Sequence, residues 1–273
     1  MNPYRVQPPF YVSFSGGRTS GYLVRHVLDA WGGALPDGGH VLFANTGREH
    51  EATLEFVREV GERWCHVTWI ELSLNDAESE NVYGYRIVGF ESASRNGEPF
   101  SALIAKRKYL PNPVARFCTS DLKVRPMSQF MRERYGDDFT TVLGLRADEP
   151  RRVHKVRSDP TRDIAVPLAD AYVNRDAIVS WWASQPLDLR LPDDDPAFGN
   201  CDMCFLKSRE RIDRVIASDP KRAEWWVAQE DAIGGTFRKD RPSYRQMLHQ
   251  VTVQGQLFRC SGEDDTLPCD CTE

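Results

Sequence analysis

The sequence predicts an α/β fold: a doubly wound, mostly parallel sheet with helices on both faces, followed by a smaller helical C-terminal part. Three observations lead there. The apolar run Tyr11-Val12-Ser13-Phe14 reads as a buried strand and breaks at Ser15-Gly16-Gly17 into residues with helical spacing. Strand-like runs then alternate with amphipathic helical stretches, the mark of βαβ units. Beyond a Pro- and Asp-rich stretch at 186–196 the pattern changes to helices alone.

The elements follow in order. Residues 21–28 have apolar spacing suited to a helix, 39–47 form a second apolar strand ending in a polar turn, 51–64 are helical and 67–72 make a third strand. Parallel sheets bind ligands at the carboxyl ends of their strands, so the turns at 15–20 and 45–49 are expected side by side. Between 75 and 113 the periodicity fades, with Gly, Asn, Ser and Pro scattered among charges. That stretch reads as an irregular excursion over the sheet, either an active-site lid or a plain surface insertion. A helix from 120 to about 135, a strand at 140–145, a charged loop at 146–157 and a last strand at 164–168 complete the sheet. After a helix at 175–184 and the 186–196 linker come helices at 207–218, 220–233 and 242–251 and a cysteine-containing tail. The chain thus divides into an α/β domain over 1–185 and a helical region over 186–273.

At 273 residues with 41% apolar content, the chain can bury a full core and carry an appendage. No apolar run is long enough to span a bilayer, and Met1-Asn2-Pro3-Tyr4-Arg5 lacks the layout of a secretory signal, so a cytoplasmic location without membrane contact is expected. A net charge of −5 argues against a non-specific nucleic-acid coat, yet leaves room for a local basic patch around a polyanionic substrate. The seven cysteines gather toward the C-terminus, which in a reducing compartment favours metal binding or redox chemistry over a disulfide framework. Oligomeric state, a homodimer included, stays open.

Gly16 and Gly17 can adopt backbone conformations closed to other residues, so their amides can turn toward an oxyanion. Ser15, Thr19 and Ser20 add hydroxyls, and the following helix adds its first amides and dipole. A tight strand-to-helix turn without a ligand has the same ingredients, and the spacing is not that of a Walker loop. Ser15-Gly16-Gly17-Arg18-Thr19-Ser20 resembles the PP-loop, Ser-Gly-Gly-x-x-Ser, of the adenine nucleotide alpha-hydrolase superfamily, a HUP-like fold that includes N-type ATP pyrophosphatases and phosphoadenylyl-sulfate (PAPS) reductases. The resemblance implies that Ser13, Ser15, Gly16, Gly17, Arg18, Thr19 and Ser20 hold the phosphates of ATP or PAPS. Many ATP-cleaving members carry Lys-Asp where this chain has Arg18-Thr19. Arg18 keeps a fork of donors for phosphate, while the missing aspartate leaves magnesium open.

Asn45-Thr46-Gly47 resembles the family's Asp/Asn-Thr-Gly turn, which implies that Asn45, Thr46 and Gly47 lie near the nucleotide. Thr46 and Glu49 also stand at capping-box spacing. Gly144-Leu145-Arg146, followed by Arg151-Arg152, resembles the family's Gly-x-Arg loop, whose arginines meet phosphate or sulfate. It implies catalytic roles for Arg146 and Arg151 and a nucleotide contact for Arg152. With Lys155 and Arg157 these residues form a local excess of cations, which could equally be a solvated face.

Cys201-Asp202-Met203-Cys204 can by itself bind zinc, bind iron–sulfur or act as a redox dithiol. Cluster-bearing relatives, the adenylyl-sulfate reductases and the enzyme of DNA phosphorothioation, place an upstream cysteine before a Leu-Lys-type helix and a Cys-x-x-Cys further downstream. Cys118, Cys201 and Cys204 resemble that layout, which implies a [4Fe-4S] cluster on these three, a fourth ligand from Cys260, Cys269 or Cys271 or an open iron, and a catalytic role for Cys118. Adenylyl-sulfate reductases usually have two adjacent upstream cysteines, whereas Phe117 and Thr119 flank Cys118 here, and the reductases' Glu-Cys-Gly-x-His is absent. Cys65 reads as a small core residue. The expected function is a PAPS-reductase-like PP-loop enzyme acting on an adenylated intermediate, with ATP-dependent, AMP-forming sulfur transfer from an unidentified sulfur donor to a small molecule, tRNA or DNA. The alternatives are a phosphoadenylyl- or adenylyl-sulfate reductase, and a nucleotide-sensing protein with structural zinc.

Overall fold

The computed structural model describes residues 2–74 and 83–253. Phe10, Tyr11 and Val12 are buried on both faces of β1 (Phe10–Ser13), as a central parallel strand requires. The chain runs on through α1 (Arg18–Ala30), β2 (Gly39–Ala44), α2 (Glu51–Arg63) and β3 (Val67–Leu74), each strand parallel to the one before it in the sheet. β4 (Tyr83–Val88) then turns back antiparallel on β3 and forms the sheet's edge. After α3 (Glu98–Arg107), the helical turn α4 (Phe117–Thr119) and α5 (Arg125–Tyr135), the chain crosses to the other side of β1 with β5 (Thr140–Val142), α6 (Pro150–Arg157) and β6 (Ile164–Ala165). The resulting order, β4-β3-β2-β1-β5-β6, is doubly wound, with its topological switch point between β1 and β5.

Helices cover both faces. Phe14, Leu23, Val27, Phe56 and Val57 form one core with the sheet, while Tyr11, Leu42 and Ile70 pack on Met127, Phe130 and Met131 of α5 on the other side. α7 (Pro167–Asp170) and α8 (Arg175–Trp182) complete the first layer. The stretch expected as a linker is packed: Leu187 and Leu189 are buried in the first core.

α9 (Arg209–Ser218), α10 (Lys221–Ile233) and α11 (Tyr244–Val253) surround Ile212, Trp226, Phe237 and Met247. The same core includes Leu72 of β3 and Phe100, Leu103, Ile104, Phe117 and Leu122. No helix among the described residues is long and apolar enough to cross a membrane.

Besides the packed linker, the structure departs from the sequence expectations at several places. The irregular excursion contains β4 and α3; α3 starts at Gly97, in a left-handed conformation, and buries Phe100, Leu103 and Ile104. The charged loop after β5 holds α6, whose only buried residue is Val153, so its charges hid its periodicity. The helix expected from 120 begins instead as a π-turn over Ser120–Val124, closed by Arg125 N donating to Ser120 O, just before Pro126, which has no N–H to give. The last strand stops at Ala165 because Pro167 opens a helical turn.

Candidate functional site

The turn after β1 is shaped from within. Gly16 has φ +76°, and a Cβ there would sit 2.6 Å from Thr53 Cγ2 and 3.0 Å from Val57 Cγ2, so only glycine lets the loop lie against α2. Gly17 is the N-cap of α1 and has no side chain to cap it, and the first turn holds no acidic residue. The first amides of α1 are therefore left for an external acceptor. Ser20 Oγ, fully buried, accepts from Ser15 N at 3.2 Å and donates to Gly17 O at 3.0 Å, with Ser15 Oγ 2.9 Å away. Its hydroxyl holds the loop's shape.

Arg18, expected on the phosphates, is engaged elsewhere. Its guanidinium donates to both oxygens of Asp188, at 2.8 and 2.7 Å, and to Leu189 O at 3.1 Å, with Asp194 2.6 Å away. The fork of donors matches the Asp188 carboxylate, and that pairing straps residues 188–194 to α1.

The opposite approach to α1 is taken by Arg146, whose Nη1 donates to Thr19 Oγ1 at 3.4 Å. Arg146 is mostly buried; its Nε pairs with Asp148 at 2.9 Å and its backbone N–H donates to Glu149. Glu149 also pairs with Arg152, so one short loop aims two arginines. Beside it a cleft of about 350 Å³ opens at the β1–β5 switch point. Its lining includes Ser13, Ser15, Arg116, Lys123, Arg152, Lys155 and Arg162, with Asp159 the sole acid among the lining residues. Arg151 lies exposed on α6 and outside that lining. Sequence reasoning missed Arg116, Lys123 and Arg162. The first two flank the residues singled out around Cys118, and the π-turn is what brings Ser120 and Lys123 to the cleft.

Asn45, Thr46 and Gly47 adjoin this site but none lines the cleft. Asn45 Nδ2 donates to the buried Glu71 at 2.6 Å and to Ser94 O at 2.8 Å, and its Oδ1 accepts from Gly47 N. Glu71 also accepts from Ser94 and Arg86, which ties β2, β3 and β4 to the loop before α3. Thr46 and Glu49 do interact, Thr46 N and Oγ1 both donating to the Glu49 carboxylate, but the cap of α2 is His50, whose Nδ1 accepts from Ala52 N at 3.1 Å. Burial, then Arg222, pull the His50 imidazole down to about 4.

The Cys-x-x-Cys turn docks on this second loop. Cys201 bridges to Glu49 and its Sγ lies 3.6 Å from Thr46 Oγ1. Asp202 meets Arg48 Nη2 at 2.6 Å in a buried ion pair, and Trp226 Nε1 donates to the same carboxylate. Lys207, fully buried, donates to the carbonyls of Ala197, Gly199, Cys201 and Asp202 at 2.7–2.9 Å, and burial pushes its ammonium below the usual range. Cys118 and Cys204 pack against the second core. Among the described residues no three Cys, His, Asp or Glu side chains are grouped to hold a metal ion. Cys201 lies beside Thr46 and Glu49, after the end of β2, and Cys118 lies in α4. Cys260, Cys269 and Cys271 lie outside the described residues. Burial raises the Cys65 thiol to about 11, which suits a core residue.

No protein-family model matches the chain. It has similarity to a solved structure, that of PAPS reductase from Candida auris in a phosphate complex, at a TM-score of 0.40 and 15% identity, over 69% of this chain and 82% of that one. The uncharacterized protein MJ0066 of Methanocaldococcus jannaschii is 27% identical over 157 residues, 55% of this chain and 27% of that protein. The uncharacterized nin region protein ORF290 of Escherichia phage lambda is 34% identical over 251 residues, which span 90% of this chain and 81% of the phage protein. At that identity and coverage, the chain belongs to the family of the lambda nin region protein ORF290.

Proposed function

We propose that this chain is a PP-loop enzyme that binds an adenine nucleotide at the β1–β5 switch point and uses it in sulfur chemistry, by AMP-forming activation of an acceptor followed by sulfur transfer. The observation that carries the reading is the start of α1, where uncapped amides and Arg146 converge beside a cleft lined by five cations. A phosphate group placed there gains the helix dipole, the free amides and charge-assisted bonds of about 1.5–3 kcal/mol each. As an acceptor oxygen bonds to the α-phosphorus and the bond from it to the αβ-bridging oxygen breaks, charge grows on the leaving pyrophosphate, and the same fixed donors favour it without reorganising. The sulfur part of the reading rests on the resemblance of the loop and of Cys118, Cys201 and Cys204 to family patterns. No step is derived through an iron–sulfur cluster, since the described thiols do not group to hold one.

Calorimetric titration with ATP and with PAPS, followed by identification of the nucleotide product, tests this. AMP with pyrophosphate supports the transfer reading. Release of 3′,5′-bisphosphoadenosine from PAPS replaces it with the reductase reading. Gly17→Val, which blocks close approach to the α1 amides, and Arg146→Ala are each expected to weaken nucleotide binding by about tenfold or more. Unchanged affinity in both variants removes the loop from the site.

A further inference from the structure

Positive charge is concentrated in two stretches. Residues 106–125 carry six Lys/Arg against one Asp, and residues 151–162 carry five against one, in a chain whose net charge is −5. The fold brings both stretches to the cleft, Arg116 and Lys123 from the first and Arg152, Lys155 and Arg162 from the second. The excess continues beyond the cleft lining in the first stretch. Lys106 and Lys108 at the end of α3 are exposed, and Arg107 and Arg125 share the single buried carboxylate of Asp121, so that two cations are set against one anion. Lys106 and Lys108 lie outside the cleft lining, and a longer polyanion is a ligand that would meet both the cleft and these exposed charges.

An aromatic ring stands within this track. Lys108, at φ +60°, ends α3 in a left-handed turn, and Tyr109 follows it, 41% exposed and supported from beneath by an edge-on contact with Phe117 at 4.8 Å. Past it, Asn112 Oδ1 accepts from Val114 N and Ala115 N, fixing a tight loop that leads back to Arg116 in the cleft. Cations that follow a phosphodiester chain, interleaved with a supported ring on which an unpaired base can stack, are the means by which proteins hold single-stranded nucleic acid. A base paired in a duplex offers no free face to such a ring.

We infer that the stretch running from Lys106 through Tyr109 to Arg116 and Lys123, together with the α6 cations that line the same cleft, is a docking track for a single-stranded segment of nucleic acid. On the reading of the cleft as an adenine-nucleotide site, the track identifies nucleic acid as the class of acceptor. Fluorescence anisotropy of the full chain with labelled single-stranded RNA, single-stranded DNA and a duplex of the same length tests it, at about 50 and about 200 mM salt. Single strands of one or both kinds should bind in preference to the duplex, and should lose about tenfold or more in affinity across that salt range. Lys106→Glu/Lys108→Glu should weaken binding by about tenfold or more, and Tyr109→Ala by about fivefold or more. Both variants should keep the parent's ATP affinity, which shows that they fold and separates this test from that of the nucleotide site. No binding at the lower salt, a preference for duplex, or indifference to both substitutions overturns the inference.

Discussion

Arg18 and Arg146 approach the first turn of α1 from different directions and have different partners. Arg18 is pinned by Asp188, Leu189 O and Asp194, whereas Arg146 points Nη1 at Thr19 in the first turn of α1. Arg18→Ala should therefore leave nucleotide affinity within about twofold, and because the pair is half-exposed it should cost no more than about 1 kcal/mol in a urea titration. The buried pair Arg48–Asp202 offers the contrast. Asp202→Ala would leave the Arg48 charge uncompensated in the interior, with a loss of about 3–5 kcal/mol expected in the same assay. A tenfold loss of nucleotide affinity on Arg18→Ala would return that residue to the phosphate site.

α2 depends on a titratable cap. His50 accepts the Ala52 N–H through Nδ1, and burial with Arg222 nearby holds its pKa at about 4, below the ordinary value of about 6.5. The unfolded chain therefore binds the proton more readily, so the stabilisation is complete above about pH 6.5 and falls away as pH drops toward 4. With His50 partly open to solvent, the loss is on the order of 1–2 kcal/mol. His50→Asn keeps a capping acceptor and removes the titration, so the difference in urea midpoint between pH 7 and pH 5 should shrink; an unchanged difference assigns the pH dependence to other groups. Elements with clean periodicity, from β1 to β3, were legible because their apolar residues fall on one helical face or form an unbroken buried run. β4, α3 and α6 were not, because α3 begins at a left-handed glycine and α6 buries Val153 alone. At the site, the Ser15–Ser20 loop and Arg146 were readable as a motif, whereas Arg116 before α4, Lys123 in the π-turn and Arg162 before β6 belong to no motif and join the cleft only through the tertiary fold. The partner of Arg18 could not be read, since Asp188 is 170 residues away in sequence.

Across the whole molecule the apolar cores divide the chain differently from its sequence pattern. The helical C-terminal part does not enclose its own interior: Ile212, Trp226, Phe237 and Met247 share one core with Leu72, Phe100, Leu103 and Ile104. Residues 188–194, in turn, are strapped to α1 by Arg18, and Leu187 and Leu189 complete the core beneath the sheet. A fragment ending at residue 185 would leave the apolar face of α3 and α4 in water and remove two side chains from the first core, a loss of about 1.5–3 kcal/mol for each large apolar residue uncovered. Such a fragment should show expanded, dye-binding behaviour with weak near-ultraviolet dichroism. In the full chain, Leu103→Ala should lower stability by about 2–5 kcal/mol and shift tryptophan fluorescence and far-ultraviolet dichroism together, because α3 and α10 share one interior. A 1–185 fragment that unfolds in one sharp transition and binds nucleotide like the full chain would show instead that the sheet domain is complete without its helical partner.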